Sequence, residues 1–257
     1  MNKEDLRKFS EELIDTFLIA GNRSVELRNQ GLKKEIKKDN TPVTNGDIEV
    51  NNILTEKIKS LTPEIPIVSE ESSLNKNNIE LENFWLIDPI DGTYDYINNK
   101  DEFTINAALI LGRKPALGII NAPAKKRVFY SYGLGDCYEI IGKEHKKLGC
   151  KKISKKGSVN ALSYSEKLKP IIYDIHKKLK VTSFNKVKSS LKFCLIATGE
   201  YDLYVTEPRA QEWDIAAGHA IIDGAGGKIT DFEGKEILYG KKEFKNPSLI
   251  AKRIGEL

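Results

Sequence analysis

Cysteine and histidine are both scarce in this chain, with three of each among 257 residues. Cys137, Cys150 and Cys194 share no Cys-x-x-Cys spacing. An odd, scattered set argues against a disulfide framework and for a reducing compartment. His145, His176 and His219 stand apart from one another. Zinc needs clustered Cys or His ligands, so any metal is expected to be oxygen-ligated. No apolar run approaches the roughly 18 residues of a membrane span, and residues 1–9 are too polar for a secretion signal. The expected location is the cytoplasm, without stable membrane insertion; a peripheral contact at the inner membrane stays open. Charge of one sign is also in short supply, the net value being +4. The densest basic stretch, residues 143–156, has no aromatic ladder for stacking on bases. It reads as a solvated loop and hairpin, and nucleic-acid binding is not expected. A mild positive balance suits a small anionic substrate.

What is present is the balance of a globular protein, 40% hydrophobic and 30% charged. In residues 4–28, Leu6, Phe9, Leu13, Ile14 and Phe17 recur at helical spacing. Acids come early there and Arg28 late, which suits the helix dipole. Residues 47–60 repeat the pattern with Ile48, Ile53, Leu54 and Ile58, and residues 38–47 between them read as a polar hairpin or loop. Strand-like runs follow at 65–68, 84–87, 103–111, 116–121 and 127–131. Helices first and strands next predict an antiparallel sheet covered by helices. The composition shifts near residue 135, and a strand at Cys137–Ile141 opens the remainder. Strands are then expected at 161–163, 181–184, 202–206 and 228–230. Helices are expected at 169–179, from Ser189 or Ser190 through Gly199, and at 214–224.

The most informative stretch is Phe84-Trp85-Leu86-Ile87-Asp88-Pro89-Ile90-Asp91-Gly92-Thr93. An apolar run ends in two carboxylates. Hard oxygen ligands at a buried strand end suit Mg²⁺, which usually shares its substrate's phosphate. Pro89 stiffens the turn, and Gly92 lets backbone amides approach an anion closely. Polar groups at a strand-to-helix junction can meet phosphate there. A pair of surface turns, Asp-Pro and Asp-Gly, is the competing reading. Further acids fall at other element ends: Asp47 opening a helix, Glu70 and Glu71 after a short apolar strand, and Asp214 at a helix start. Singly, Asp47 and Asp214 read as helix caps, and Glu70 and Glu71 as solvent-facing.

Together, Val68-Ser69-Glu70-Glu71, Asp88-Pro89-Ile90-Asp91-Gly92-Thr93 and Trp213-Asp214-Ile215-Ala216-Ala217-Gly218 resemble the inositol monophosphatase superfamily of Mg²⁺-dependent, lithium-sensitive phosphatases. The order and spacing agree from about residue 5 to residue 250. The resemblance implies an α+β fold layered α-β-α-β-α. It also implies two halves, an N-terminal one at 1–135 with most metal ligands and a C-terminal one at 136–257 that closes the site. Glu70, Asp88, Asp91, the Ile90 carbonyl and Asp214 would hold two or three Mg²⁺ ions. Gly92 and Thr93 would hold phosphate through backbone amides, with Glu70, Ile90, Asp91 and Asp214 lining the same pocket. Asp47 and the Thr93 hydroxyl would orient and deprotonate the attacking water. Glu71 would meet a metal through water or steady its loop. Such a site needs no Cys or His nucleophile, since phosphoryl transfer rests on positioning and charge.

Glu102 to Ile110, Ser189-Ser190-Leu191-Lys192-Phe193-Cys194 and Glu212 to Ala220 are similar to the bacterial 3′(2′),5′-bisphosphate nucleotidases. That branch implies hydrolysis of 3′-phosphoadenosine 5′-phosphate to AMP and phosphate. Three departures bear on the nucleotide side. Residues 161–165 carry no basic residue, Lys188 stands where the branch has Gly, and residues 204–211 differ from its common run. Lys192 could reach a second phosphate or lie on a solvated face, and Arg209 could compensate for the missing base. An inositol monophosphatase or fructose-1,6-bisphosphatase on the same scaffold is the alternative. A non-catalytic nucleotide or metal sensor is the distant one. The expected partner is a small phosphomonoester, and monomer and homodimer both stay open.

Overall fold

The computed structural model describes residues 1–37, 40–71, 81–150 and 158–253. Helix α1 (Lys3–Gln30) begins in a capping box: Asn2 accepts from the Asp5 amide and Asp5 from the Asn2 amide. A short hairpin follows, β1 (Lys34–Ile36) and β2 (Pro42–Thr44), with Lys38 and Asp39 outside the described residues. Helix α2 (Asn45–Leu61) starts earlier than the sequence pattern predicts. Thr44 is its N-cap and Asp47 its third residue, so Asp47 closes a capping box and is not the cap itself.

The first sheet contains β3 (Ile67–Ser69), β4 (Phe84–Asp91), β5 (Thr104–Leu111), β6 (Lys114–Ala122), β7 (Arg127–Ser131), β8 (Cys137–Ile141) and β9 (Glu144–Lys147), in that order. A one-turn helix, α3 (Thr93–Ile97), follows β4. The strands from β4 onward form an antiparallel meander, as the pattern predicts, while β3 runs parallel to β4. This sheet continues past residue 135, because β8 pairs with β7 and β9 with β8. The basic stretch enters it as β9, and residues 151–157 lie outside the described residues.

The second sheet has the order β11, β10, β12, β14, β13, where β10 is Val159–Ser163, β11 Val181–Lys186, β12 Leu203–Thr206, β13 Lys228–Thr230 and β14 Leu249–Lys252. Its helices are α4 (Pro170–Lys178), α5 (Leu191–Ala197) and α6 (Ala216–Gly224). The helix expected at 214–224 is thus divided: a 3-10 turn over Glu212–Asp214 comes first, and α6 starts after Ile215.

Strand side chains alternate between faces, and in β4 both faces are apolar. Trp85 and Ile87 pack with Leu13, Phe17, Leu54 and Ile58 of α1 and α2. Phe84 and Leu86 belong to the core that holds Phe193, Ile196, Ile221 and Ile222 of α5 and α6. The same core takes in Tyr204, Ile229, Leu249 and Ala251 of the second sheet, whose other face packs Leu203 and Val205 with Ile172 of α4. The layers therefore run α-β-α-β-α. A methyl group at Gly118 would lie 2.5 Å from the Ala217 carbonyl oxygen, so glycine there lets α6 rest directly on β6. Among the described residues, no helix is long and apolar enough to cross a membrane.

Candidate active site

Asp88 and Asp91 are an odd number of positions apart, so a regular strand would aim them at opposite faces. The β4–β5 register breaks between them. Asp88 pairs with Asn106 and Asp91 with Thr104, so between these pairs β4 carries one residue more than β5. Such a bulge re-aims side chains. Asp88, Asp91 and Asp214 consequently bring carboxylate oxygens within 4.8 Å of one another. Gly92 then turns the chain with φ +90°, a left-handed conformation that glycine adopts without strain, and its carbonyl accepts from the Asp95 and Tyr96 amides.

Asp88 is 1% exposed, and its Oδ1 is a buried oxygen without a hydrogen-bond partner. Burial, then Glu70 and Asp91, push its carboxyl well above the ordinary range. Thr104 Oγ1 and Asn106 Oδ1 on the neighbouring strand are likewise buried and unpartnered. Buried polar atoms usually find partners. Three carboxylates around the unpartnered Asp88 oxygen form a donor set of the kind that suits a hard cation.

Asp214 sits at the end of the 3-10 turn and accepts from the Gln211 amide at 2.8 Å. Burial first, then Asp91 and Glu70, push its carboxyl up to about 7. Ser190 ties it to Asp91. The Ser190 amide donates to Asp91 Oδ2 at 2.5 Å, and its hydroxyl lies 2.5 Å from the same oxygen and 2.7 Å from the Asp214 carbonyl. Asn106 Nδ2 donates to that hydroxyl at 3.1 Å. Ser190 precedes α5, as expected, yet its side chain makes no cap; Ser189 Oγ accepts from the Leu191 amide instead. The Ser-Ser pair was visible in the sequence, but its use as a clamp on Asp91 was not.

On the other flank, Asp47 is 1% exposed and takes two donors from Thr44, the amide at 2.8 Å and the hydroxyl at 2.6 Å. Burial outweighs these bonds and pushes its carboxyl up to about 6. Thr93 Oγ1 lies 3.0 Å from the Ile90 carbonyl and 3.3 Å from Asp47 Oδ1. A hydroxyl has one proton to donate, so the two acceptors compete for it. The Glu70 amide donates to Ile87, extending the β3–β4 pairing. Lys37 holds both glutamates, at 3.2 Å from Glu70 and 2.5 Å from Glu71. Neither glutamate is simply solvent-facing, and burial raises the Glu71 carboxyl. Lys37 is a site residue that the sequence pattern did not single out.

Glu70, Asp88, Ile90, Asp91, Gly92, Thr93 and Asp214 line one cleft of about 570 Å³ together with Lys192 and Arg209, whereas Asp47 and Glu71 lie behind its wall, reaching it through Thr93 and Glu70. Lys192 is on no solvated face. It is 6% exposed, and its ammonium donates to the Ser189 and Lys188 carbonyls at 2.9 and 3.1 Å. Burial pulls it below the ordinary lysine range, against Asp91 and Asp214. His219 packs, with Nδ1 2.9 Å from the Tyr239 hydroxyl, and takes no part in the cleft.

A carboxylate cluster at the meeting of two sheets and the helices between them defines the class of protein. The inositol monophosphatase family model matches residues 3–256, and the chain belongs to that family. It is 35% identical to the 3′(2′),5′-bisphosphate nucleotidase CysQ of Buchnera aphidicola over 91% of this chain and 88% of that one. The Escherichia coli K12 protein of the same name is also 35% identical, over 82% and 85%. A crystal structure of CysQ from Bacteroides thetaiotaomicron, a bacterial member of the family, superposes with a TM-score of 0.78 at 27% identity, covering 97% and 98% of the two chains.

Proposed function

We propose that this chain is a bisphosphate nucleotidase that removes the 3′-phosphate of 3′-phosphoadenosine 5′-phosphate, releasing AMP and inorganic phosphate. The observation that carries this reading is the 35% identity to a bisphosphate nucleotidase over 91% of the chain. Glu70, Asp88, Asp91 and Asp214, with the Ile90 carbonyl, would hold Mg²⁺ as two or three ions. The unpartnered Asp88 Oδ1 and an all-oxygen donor set support a hard cation there. When bound, Mg²⁺ supplies positive charge that offsets the carboxylates and the phosphoryl oxygens and lowers the pKa of water.

The chain's own residues supply the positioning. Thr93 orients the attacking water and Asp47, adjacent through the hydroxyl, receives its proton. An acid raised to about 6 is a competent acceptor near neutral pH. Amides of Gly92 and Thr93 hold the phosphoryl oxygens. Water attacks phosphorus in line as the bond to the ribose oxygen breaks, and that oxygen takes a proton from solvent to become the 3′-hydroxyl. Glu71, fixed by Lys37, steadies the loop that carries Glu70. This reading keeps two halves, 1–135 with most metal ligands and 136–257 closing the site, with strands β8 and β9 of the second joining the first sheet.

A second reading, an inositol or sugar phosphatase, is favoured by the lack of a basic residue in 161–165 and by Lys188 in place of Gly. Phosphate release from 3′-phosphoadenosine 5′-phosphate, inositol 1-phosphate and fructose 1,6-bisphosphate, each with Mg²⁺ and with added Li⁺, separates the two. A lithium-sensitive preference for the nucleotide is expected. Preference for either of the other substrates would transfer the chain to the second reading.

A further inference from the structure

Glu212 is a buried acid, 0% exposed, that does not line the cleft and takes no part in the chemistry above. It is the first residue of the 3-10 turn that ends in Asp214. A buried carboxylate is costly unless it is bonded. This one accepts from the Gly240 amide at 2.8 Å, the Lys241 amide at 2.9 Å and the Lys241 ammonium at 2.6 Å. All three donors belong to residues 239–246, a strap laid over the turn. The strap meets the turn again at Asn246, whose amide and side-chain nitrogens donate to the Ala210 and Gln211 carbonyls at 3.1 and 2.8 Å. Trp213 and Phe244 add a ring contact at 6.0 Å.

The strap is itself referenced to β4. The Tyr239 amide donates to the Arg113 carbonyl at 2.9 Å, and Arg113 Nε returns to the Tyr239 carbonyl at 3.0 Å. The Arg113 amide in turn donates to the Glu82 carbonyl at 2.9 Å, just ahead of β4. Gly240 has φ +77°, and a methyl group there would lie 2.2 Å from the Leu81 carbonyl oxygen, so the strap presses on the chain that enters β4. Glu243 and Phe244 follow in left-handed conformations, φ +57° and +52°, which persist in non-glycine residues only where the surroundings over-determine them. A continuous set of contacts thus runs from β4, which carries Asp88 and Asp91, through the strap to Glu212 and the turn that carries Asp214. We propose that Glu212 is a positioning residue: by gripping the strap it fixes where Asp214 meets Asp88 and Asp91, and so sets how tightly the site binds a divalent cation. The inference rests on the metal-dependent reading of the cleft.

The test is calorimetric titration of Mg²⁺ into the metal-stripped full chain, with circular dichroism to verify that each variant is folded. Glu212→Asp keeps the charge but is one methylene too short to meet both amides. It should weaken Mg²⁺ binding about tenfold, as loss of other groups that orient metal ligands does. Glu212→Gln keeps the length but offers a single carbonyl oxygen, and should weaken binding about threefold, the scale of one hydrogen bond. A role in folding alone would lower the melting temperature of the metal-free variants and leave their Mg²⁺ affinity in place. An unchanged affinity in a folded Glu212→Asp overturns the proposal, and so does a loss confined to Glu212→Gln, which would assign the effect to charge. If Glu212→Asp does not fold, an unchanged affinity in Glu212→Gln overturns it instead. A wild type that binds no Mg²⁺ sinks the metal-dependent reading and the inference with it. A wild type that binds Mg²⁺ beside indifferent Glu212 variants sinks the inference alone.

Discussion

At the acid end of the cleft, Asp88, Asp91 and Asp214 come from a strand bulge and a 3-10 turn whose backbones are locked by register, by the Gln211 amide and by Ser190. At its cationic rim, Tyr164, Lys188 and Arg209 come from loops, and two of the three are exposed. The first region is largely buried, with its backbone fixed and the Asp88 Oδ1 oxygen left without a partner; the second is more exposed and held by two cation–aromatic contacts and one weak ion pair. Buried charges that lack a partner are costly, whereas exposed ones cost little. Changes at the acid end should therefore alter turnover and stability together, and changes at the rim should alter substrate preference alone.

The largest effect that could break this contrast is at Asp91. Asp91→Asn should lower kcat by about a thousandfold or more, measured as phosphate release in saturating Mg²⁺. Turnover near wild type would remove Asp91 from the site. Ser190 is next. Ser190→Ala frees Asp91 from its hydroxyl clamp, so the Mg²⁺ concentration for half-maximal rate should rise about tenfold, in line with other residues that orient metal ligands. Its amide contact to Asp91 survives the change, so the fold is expected to persist.

A pH experiment sharpens the same comparison. Asp47 and Asp214 are pushed up to about 6 and about 7 from an ordinary 3.8, and Asp88 is raised as well. The folded chain therefore keeps protons that the unfolded chain has lost between about pH 4 and 7, and its stability must fall as pH rises through that window. In EDTA the melting temperature should drop by at least about 3 °C from pH 5 to pH 7.5. Added Mg²⁺ should remove most of that drop by binding the ionised carboxylates. A metal-free protein that melts highest at pH 7.5 would contradict the electrostatics assigned to this cluster. The smallest effect is expected at the rim: Lys188→Ala, whose ammonium is shared with Asp95, should raise KM for the bisphosphate nucleotide about threefold with kcat little changed.

Much of the fold was legible in the chain because β4, β5 and β6 are apolar on both faces and α1 and α2 are amphipathic. The acids at element ends were legible for the same reason: each interrupts or closes an apolar run. Other features lie in contacts that periodicity does not encode. Alternation would have sent Asp88 and Asp91 to opposite faces, and only the register shift against β5 brings them together. Lys37 meets Glu70 and Glu71 from a hairpin more than 30 residues away, and Ser190 meets Asp91 across 99 positions. The 3-10 turn at Asp214 reads as the start of α6 until Gln211 is seen to close a capping box on it. Strand β14 went unread because its register with β12 and β13, not its four residues, makes it a strand.

The central claim is that the carboxylates of β4 and the 3-10 turn work by holding a divalent cation. Phosphate release from 3′-phosphoadenosine 5′-phosphate, followed as Mg²⁺ is titrated into EDTA-stripped protein, tests it most directly. The account predicts no release without metal, a saturable rise with Mg²⁺, and a curve displaced to higher Mg²⁺ in Ser190→Ala. Release that is unchanged in EDTA would contradict it.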